Sequence, residues 1–180
     1  MEFESVIKTR ESIREYSEKP VEDEKINFIL ECARLAPSWA NRQCWHFIVV
    51  KDKKIIEDLS KTSIINRWLK NAPVIIVACG DPRQSGSRNN ISYFIVDVSI
   101  ALENLILAAT DKGLGSCWIA GFDAKKIKEI LKIPKHIEVV ALTPIGYPAE
   151  KKGLIDNLAK IVIQSKKRKS IDKIVDYNRW

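Results

Sequence analysis

Histidine is scarce in this chain, and its cysteines are not arranged in pairs. His46 and His136 stand in unrelated segments with no ligand spacing, and none of Cys32, Cys44, Cys79 and Cys117 forms a CxxC pair. Both absences argue against a zinc site. Unpaired cysteines in or near apolar segments read as reduced thiols, the state expected of a cytoplasmic protein. No Gly-x-Gly-x-x-Gly occurs, so the dinucleotide-binding fingerprint is missing. Zinc-finger and RRM signatures are missing too, which leaves little to support a nucleic-acid partner. There is no uninterrupted apolar run of membrane-spanning length. The best stretch, 91–110, is broken by Asp97, Glu103 and Asn104, and an acidic residue at a bilayer centre costs about 2.5–3.5 kcal/mol. Residues 1–15 are charged throughout and hold no apolar core of signal-peptide length. Internal repeats and low-complexity linkers are absent as well.

What is present suits a globular domain. A length of 180 residues with 46% hydrophobic content provides one core, and the expectation is a single domain over 1–180 with a C-terminal arm from about 151. The net charge of +7 is unevenly spread. Residues 151–180 carry nine Lys/Arg against three Asp, a net of +6, which leaves +1 for the rest. The density peaks at Lys166, Lys167, Arg168 and Lys169. Such a tail is either a solvated arm or a site for an anion, nucleic acid or a small phosphate.

Periodicity gives the elements. Residues 2–9 read as a short helix with Phe3, Val6 and Ile7 on one face. Over 22–35, Ile26, Ile29, Leu30 and Ala33 follow helical spacing, and Pro37 ends the segment. Residues 46–50 and the apolar run 73–79 read as strands, the second a central one. Asp52 is placed to cap a helix through Ser60. Residues 81–90, with Pro82 and Gly86, read as a loop. Residues 92–112 form a long helix, apolar nearly all round and so buried on most sides, terminated by Gly113 and Gly115. Then come a short strand at 116–119, a helix capped by Asp123 and running through Leu131, and a strand at 137–145 closed by Gly146-Tyr147-Pro148. Strands alternating with helices imply a sheet covered on both faces. Ile161 to Ile163 are a further strand candidate, and Ile171, Ile174 and Val175 are candidate apolar anchors of the arm.

Three segments carry chemistry. In an extended backbone Arg10, Ser12 and Arg14 point one way, and two guanidinium groups with a hydroxyl suit a phosphate. A solvated stretch with Ser12 as a cap is the alternative. The loop Pro37-Ser38-Trp39-Ala40-Asn41-Arg42-Gln43 offers a hydroxyl, a carboxamide, an indole and backbone amides to a flat polar ring, or is an ordinary connection. Ile119-Ala120-Gly121-Phe122-Asp123 joins a strand end to a capped helix, where Gly121 permits close backbone approach to a ligand.

Taken in order, these segments resemble the nitroreductase family over nearly the whole chain. Arg10 to Arg14 is similar to its FMN-phosphate motif, and Pro37 to Gln43 to its Pro-Ser-x-x-Asn-x-Gln loop. Ala72-Pro73-Val74, Ile119 to Phe122, Gly146-Tyr147-Pro148 and the basic 166–169 segment follow in the family's order. The resemblance implies an α+β three-layer sandwich with a central mixed or antiparallel sheet flanked by helices, in an intertwined homodimer. It implies FMN as cofactor and NAD(P)H as co-substrate, with electrons passed to a small organic acceptor, nitroaromatic or quinone, by a ping-pong hydride mechanism. Relatives with other flavin chemistry, reductive dehalogenation or flavin cleavage, are the alternative, and no side chain need serve as acid or base. By the resemblance, Arg10, Ser12, Arg14 and Arg168, with Lys166 or Lys169, hold the phosphate and ribityl chain. Pro37, Ser38 and Asn41 reach the flavin from the other subunit, Gly121 presents its backbone amide near the ring's reactive nitrogen, and Trp39 and Ala120 join them as cofactor-binding residues. Departures from the pattern are Ala120, where the best-known nitroreductases have glutamate, the bulky Trp39, and Cys44 in place of a proline.

Overall fold

The computed structural model describes residues 1–150 and 167–180. Five helices are described: α1 (Phe3–Thr9), α2 (Asp23–Arg34), α3 (Lys53–Ser60), α4 (Tyr93–Asp111) and α5 (Ala124–Leu131). The strands are β1 (Trp45–Val50), β2 (Val74–Gly80), β3 (Ser87–Arg88), β4 (Ile91–Ser92), β5 (Gly115–Ser116) and β6 (Glu138–Gly146). The main sheet has the order β1-β2-β6-β5, and each of its named pairs is antiparallel. A parallel bridge from Ser12 to Ser116 extends the β5 edge. β3 and β4 form a small separate hairpin.

The apolar run of β2 is explained by two cores, one on each face of the sheet. Side chains alternate along a strand. Val74, Ile76 and Ala78 therefore join α2 and α4 on one face, while Ile75, Val77 and Cys79 join Ile56 and Leu59 of α3 and Ile127 of α5 on the other. All seven β2 residues are buried. A strand covered on both sides reads as a continuous apolar run whichever way its neighbours point, so the run did not disclose the antiparallel pairing.

The helices end where local chemistry ends them. Asp52 accepts the Ile55 N–H at 2.9 Å, and Asp123 accepts the Lys126 N–H at 3.2 Å, each satisfying an otherwise orphaned donor. Gly113, at φ 73°, takes the left-handed position just beyond α4. Gly115 belongs to β5 instead and is no part of that terminator. The strand expected at 116–119 is shorter than the sequence suggested. Only Gly115–Ser116 pairs as a strand, and Ile119 rejoins the sheet by a bridge to Leu142.

α4 has the length and apolarity of a membrane span, with half of its window buried inside the protein. Val98, Ala101, Leu102, Leu105, Ile106 and Ala109 pack onto α2 and the sheet, and each Leu or Ile so buried contributes about 1.5–3 kcal/mol. Its other side leaves Ile95, Val96 and Ile100 exposed. On α1, Val6 alone is buried; Phe3 and Ile7 are exposed. The helix expected to be buried nearly all round is thus covered on one side by its own chain.

Candidate functional site

The first segment lies along the β5 edge. The Ile13 N–H donates to the Ser116 carbonyl at 2.8 Å, and Ile13 is buried. Extended backbone then turns its neighbours Ser12 and Arg14 away from the core, where they and Arg10 are half-buried. Arg14 Nη1 donates to the Ser12 carbonyl at 3.3 Å. Desolvation pushes the Glu103 carboxyl on α4 above its usual range, and the charge of Arg10 opposes that rise. Two guanidinium groups and a hydroxyl thus share one short edge, as a bound phosphate requires.

Ala120 and Gly121 lie four and five residues beyond Ser116, on the same edge, and both are exposed. The connection is fixed from the 62–66 segment. The Asp123 N–H donates to the Thr62 carbonyl at 2.9 Å, and Asn66 Nδ2 donates to the Gly121 carbonyl at 3.1 Å. A Cβ on Gly121 would meet nothing nearer than 3.7 Å, so the chain's own packing does not demand glycine there. Asn66, with exposed Ile64 and Ile65 beside it, belongs to this surface and was not singled out by sequence.

The loop of Pro37, Ser38, Trp39 and Asn41 lies at the opposite edge, leading into β1. Three strand spacings, about 14 Å, separate the edges, and the loop enters the sheet at the Glu138 end of β6 while Ser12 and Ser116 lie at its Ile145 end, so one chain does not unite the loop with Arg10, Ser12 and Arg14. The loop is strained. Ala40, Asn41 and Gln43 have φ of 48°, 55° and 52°, a region costing roughly 1–2 kcal/mol for an ordinary L-residue and less for asparagine. Three anchors hold it. Ser38 Oγ accepts the Gln43 N–H at 2.9 Å. Gln43 Nε2 donates to Asn41 Oδ1 at 3.1 Å. Asp97 Oδ1, on α4, accepts the Trp39 N–H at 2.8 Å.

Asp97 is 3% exposed and gathers two more donors on Oδ2, the Ser85 hydroxyl at 2.8 Å and the Cys44 thiol at 3.6 Å. Burial, with the Asp97 charge behind it, pushes the Cys44 thiol up to about 11. Cys79 is pushed by burial to about 12, so neither is a nucleophile at neutral pH. A second buried carboxylate, Asp81, sets the neighbouring turn. It accepts Arg83 Nε at 3.0 Å and Nη2 at 2.8 Å, and these bonds hold it near 2. In sequence Asp97 was only an interruption of an apolar stretch.

The histidines do share a feature. Both line a cavity of about 390 Å³ with Ile48, Cys79, Asp81, Arg83 and Ile133, and none of the residues expected to bind the cofactor lines it. In the tail, Arg168 and Lys169 are exposed, and Arg168 Nη1 donates to the Lys167 carbonyl at 3.1 Å. Lys166 and the strand candidate at 161–163 lie outside the described residues. Ile171, Ile174 and Val175 are exposed beside a single 3₁₀ turn, Ile171–Lys173.

With this geometry in view, a family model described as Nitroreductase family matches residues 7–65 and 60–147. A protein of Archaeoglobus fulgidus, provisionally named NADH dehydrogenase/NAD(P)H nitroreductase, is 40% identical over 155 residues, 84% of this chain and 88% of that protein. The solved nitroreductase family protein of Clostridium novyi is 40% identical, with TM-score 0.81, over 87% of this chain and 91% of that one. A solved FMN-dependent nitroreductase of Clostridium difficile is 35% identical, with TM-score 0.79, over 97% and 98%.

Proposed function

The chain belongs to the nitroreductase family, and from that premise we propose that it is an FMN-dependent oxidoreductase passing electrons from NAD(P)H to a small organic acceptor such as a quinone or nitroaromatic. The observation that carries the reading is the β5 edge, which bears Arg10, Ser12 and Arg14 against Ser116 and, farther along, exposed Ala120 and Gly121. Relatives named for nitroreductase and FMN-dependent activity support it.

The residues fit the cofactor. Arg10, Ser12 and Arg14 hold its phosphate, with Arg168 and a flanking lysine, Lys166 or Lys169, brought in by the arm. Ala120 and Gly121 line the ring's edge. Ser38, Trp39 and Asn41, at the opposite edge of the sheet, complete the site from a second copy, so the working unit is a homodimer. FMN, when bound, supplies the two-electron chemistry between nicotinamide and acceptor. The chain's part is to bind it, orient it and place positive charge near it. Donor and acceptor use one cleft in turn, which gives ping-pong kinetics. With alanine at position 120, that cleft lacks the carboxylate of the best-known nitroreductases. The structure of 1–150 as a sheet with two covered faces supports a single domain that extends into the arm.

The test is direct. The purified protein is expected to be yellow, to release FMN and not FAD on denaturation, and to oxidise NAD(P)H when a quinone or nitroaromatic is present. A colourless protein that takes up no added FMN sinks the reading. Lys166→Ala with Arg168→Ala should weaken FMN binding by about a hundredfold or more, two charged hydrogen bonds at roughly 1.5–3 kcal/mol each. Lys151→Ala with Lys152→Ala, an equal change of charge, should leave it intact. Equal loss in both pairs would reduce the tail to a diffuse field.

A further inference from the structure

We propose that Asp97 is the positioning residue of the Pro37–Gln43 loop, holding it in the conformation in which it meets the cofactor. The inference rests on the proposed function for what the loop meets, and on geometry alone for the anchoring. Asp97 lies in the fifth position of α4, a helix fixed on both α2 and the sheet, so its carboxylate is a rigid reference point. From there Oδ1 takes the Trp39 N–H and Oδ2 takes the Ser85 hydroxyl and the Cys44 thiol. The three donors come from three places: the middle of the loop, its last residue before β1, and the turn of residues 81–86. One buried carboxylate thus ties the entry to β1, the exit from β2 and the second turn of α4 together.

The loop needs such a tie. Three of its residues sit at positive φ without being glycine, a conformation that persists only where surrounding contacts over-determine it. Ser38 and Gln43 close the loop on itself, but those bonds do not fix it to the body of the protein. Asp97 does, at the residue next to Ser38 and two before Asn41. The Cys44 thiol adds a further hydrogen bond into the same carboxylate.

The experiment is hydrogen–deuterium exchange of the segment 38–43 in the holoprotein, alongside the visible spectrum and midpoint potential of bound FMN and separate kcat and KM values. Asp97→Ala is expected to speed exchange across the segment by roughly ten- to a hundredfold, to shift the FMN spectrum and potential, and to lower kcat more than it alters KM. Asp97→Asn retains an oxygen for the Trp39 N–H and should stay near wild type in exchange. Ser85→Ala removes one peripheral arm, which gives a folded variant with a smaller change in the same direction even if Asp97→Ala does not fold. Ile127→Ala, in the core of the opposite face, is the control for general loss of stability. Exchange unchanged in Ser85→Ala and Asp97→Ala overturns the proposal, as does equal acceleration in Ile127→Ala. Accelerated exchange with unaltered spectrum, potential and kcat also overturns it. A wild-type chain that takes up no FMN, while Asp97→Ala still frees the loop, overturns the functional reading and leaves the anchoring standing.

Discussion

The Trp39 indole is laid against the backbone of Gly86. A Cβ built at Gly86 would fall 2.5 Å from Trp39 Cε2 and 2.6 Å from Cζ2, far inside contact distance. The 37–43 loop and the 81–86 turn are therefore packed face to face with no side chain between them, and the Gly86 carbonyl accepts the N–H of Tyr93 at the start of α4 at 2.9 Å.

Gly86→Ala accordingly forces the indole aside. Trp39 is 41% exposed, so the ring yields before the core does, and the cost is about 1–3 kcal/mol, the range for overpacking. In a chain of this size each 1 kcal/mol lowers the thermal midpoint by about 2–4 °C. Calorimetry measures that fall, and tryptophan fluorescence should report a more solvated indole. An unshifted midpoint with unchanged emission would mean that the two loops do not press on each other in solution.

Asn41 separates strain from chemistry. Its φ of 55° suits asparagine and glycine better than alanine. Asn41→Ala is expected to lose about 1 kcal/mol of stability and Asn41→Gly to lose less, while both lose the carboxamide. Turnover slowed equally in the two variants assigns the effect to the carboxamide at the flavin; turnover slowed in Asn41→Ala alone assigns it to the backbone. Steady-state kinetics beside urea titrations distinguish them.

Asp81 makes a pH prediction. Hydrogen bonds from Arg83 lower its carboxyl from 3.8 to about 2. A depressed carboxyl stabilises the fold above its unfolded value, and that contribution disappears as the pH falls through the folded value. Asp81→Asn should therefore be less stable than wild type at neutral pH, with the gap closing between about pH 4 and pH 2. Urea midpoints measured over that range check it; a gap that is constant with pH would remove the ionised carboxylate as the cause.

The uncovered side of α4 predicts assembly. Ile95, Val96 and Ile100 are exposed on a helix whose other side is core, and an exposed apolar face marks an interaction surface, here the one expected to pair two copies. Ile100→Glu is expected to turn a dimer into a monomer by light scattering and to release FMN with it, since the proposed site draws on both chains. A dimer that survives the substitution places the interface elsewhere.

Much of this architecture was legible in the residues because local causes produced it. The periodicity of Ile26, Ile29 and Ala33 marked α2, and Asp52 and Asp123 marked two helix starts within a residue. The run at 74–79 marked a central strand. Other features escaped because their causes are long-range. Asp97 gains its role only when Trp39, Ser85 and Cys44 converge on it from 12 to 58 positions away. Asn66 reaches Gly121 across 55 positions. The hairpin of β3 and β4 has two residues per strand, too short to show an alternation. The two segments proposed for the site could be named from sequence, but their placement on opposite edges depends on strand order, which periodicity does not encode.

That strand order also governs when the molecule can take shape. β6 pairs with both β2 and β5, and the central register joins Val74 to Ile145, some 70 residues apart. Closing such a loop costs entropy before the pairing returns any stability, so refolding belongs to the slow, non-local class. During synthesis, N to C, the first 137 residues can form helices and the antiparallel β1–β2 pair, yet both cores stay open until β6 has left the ribosome. Until then β2, apolar on both faces, has one unpaired edge, and the nascent chain is most prone to aggregate over that interval.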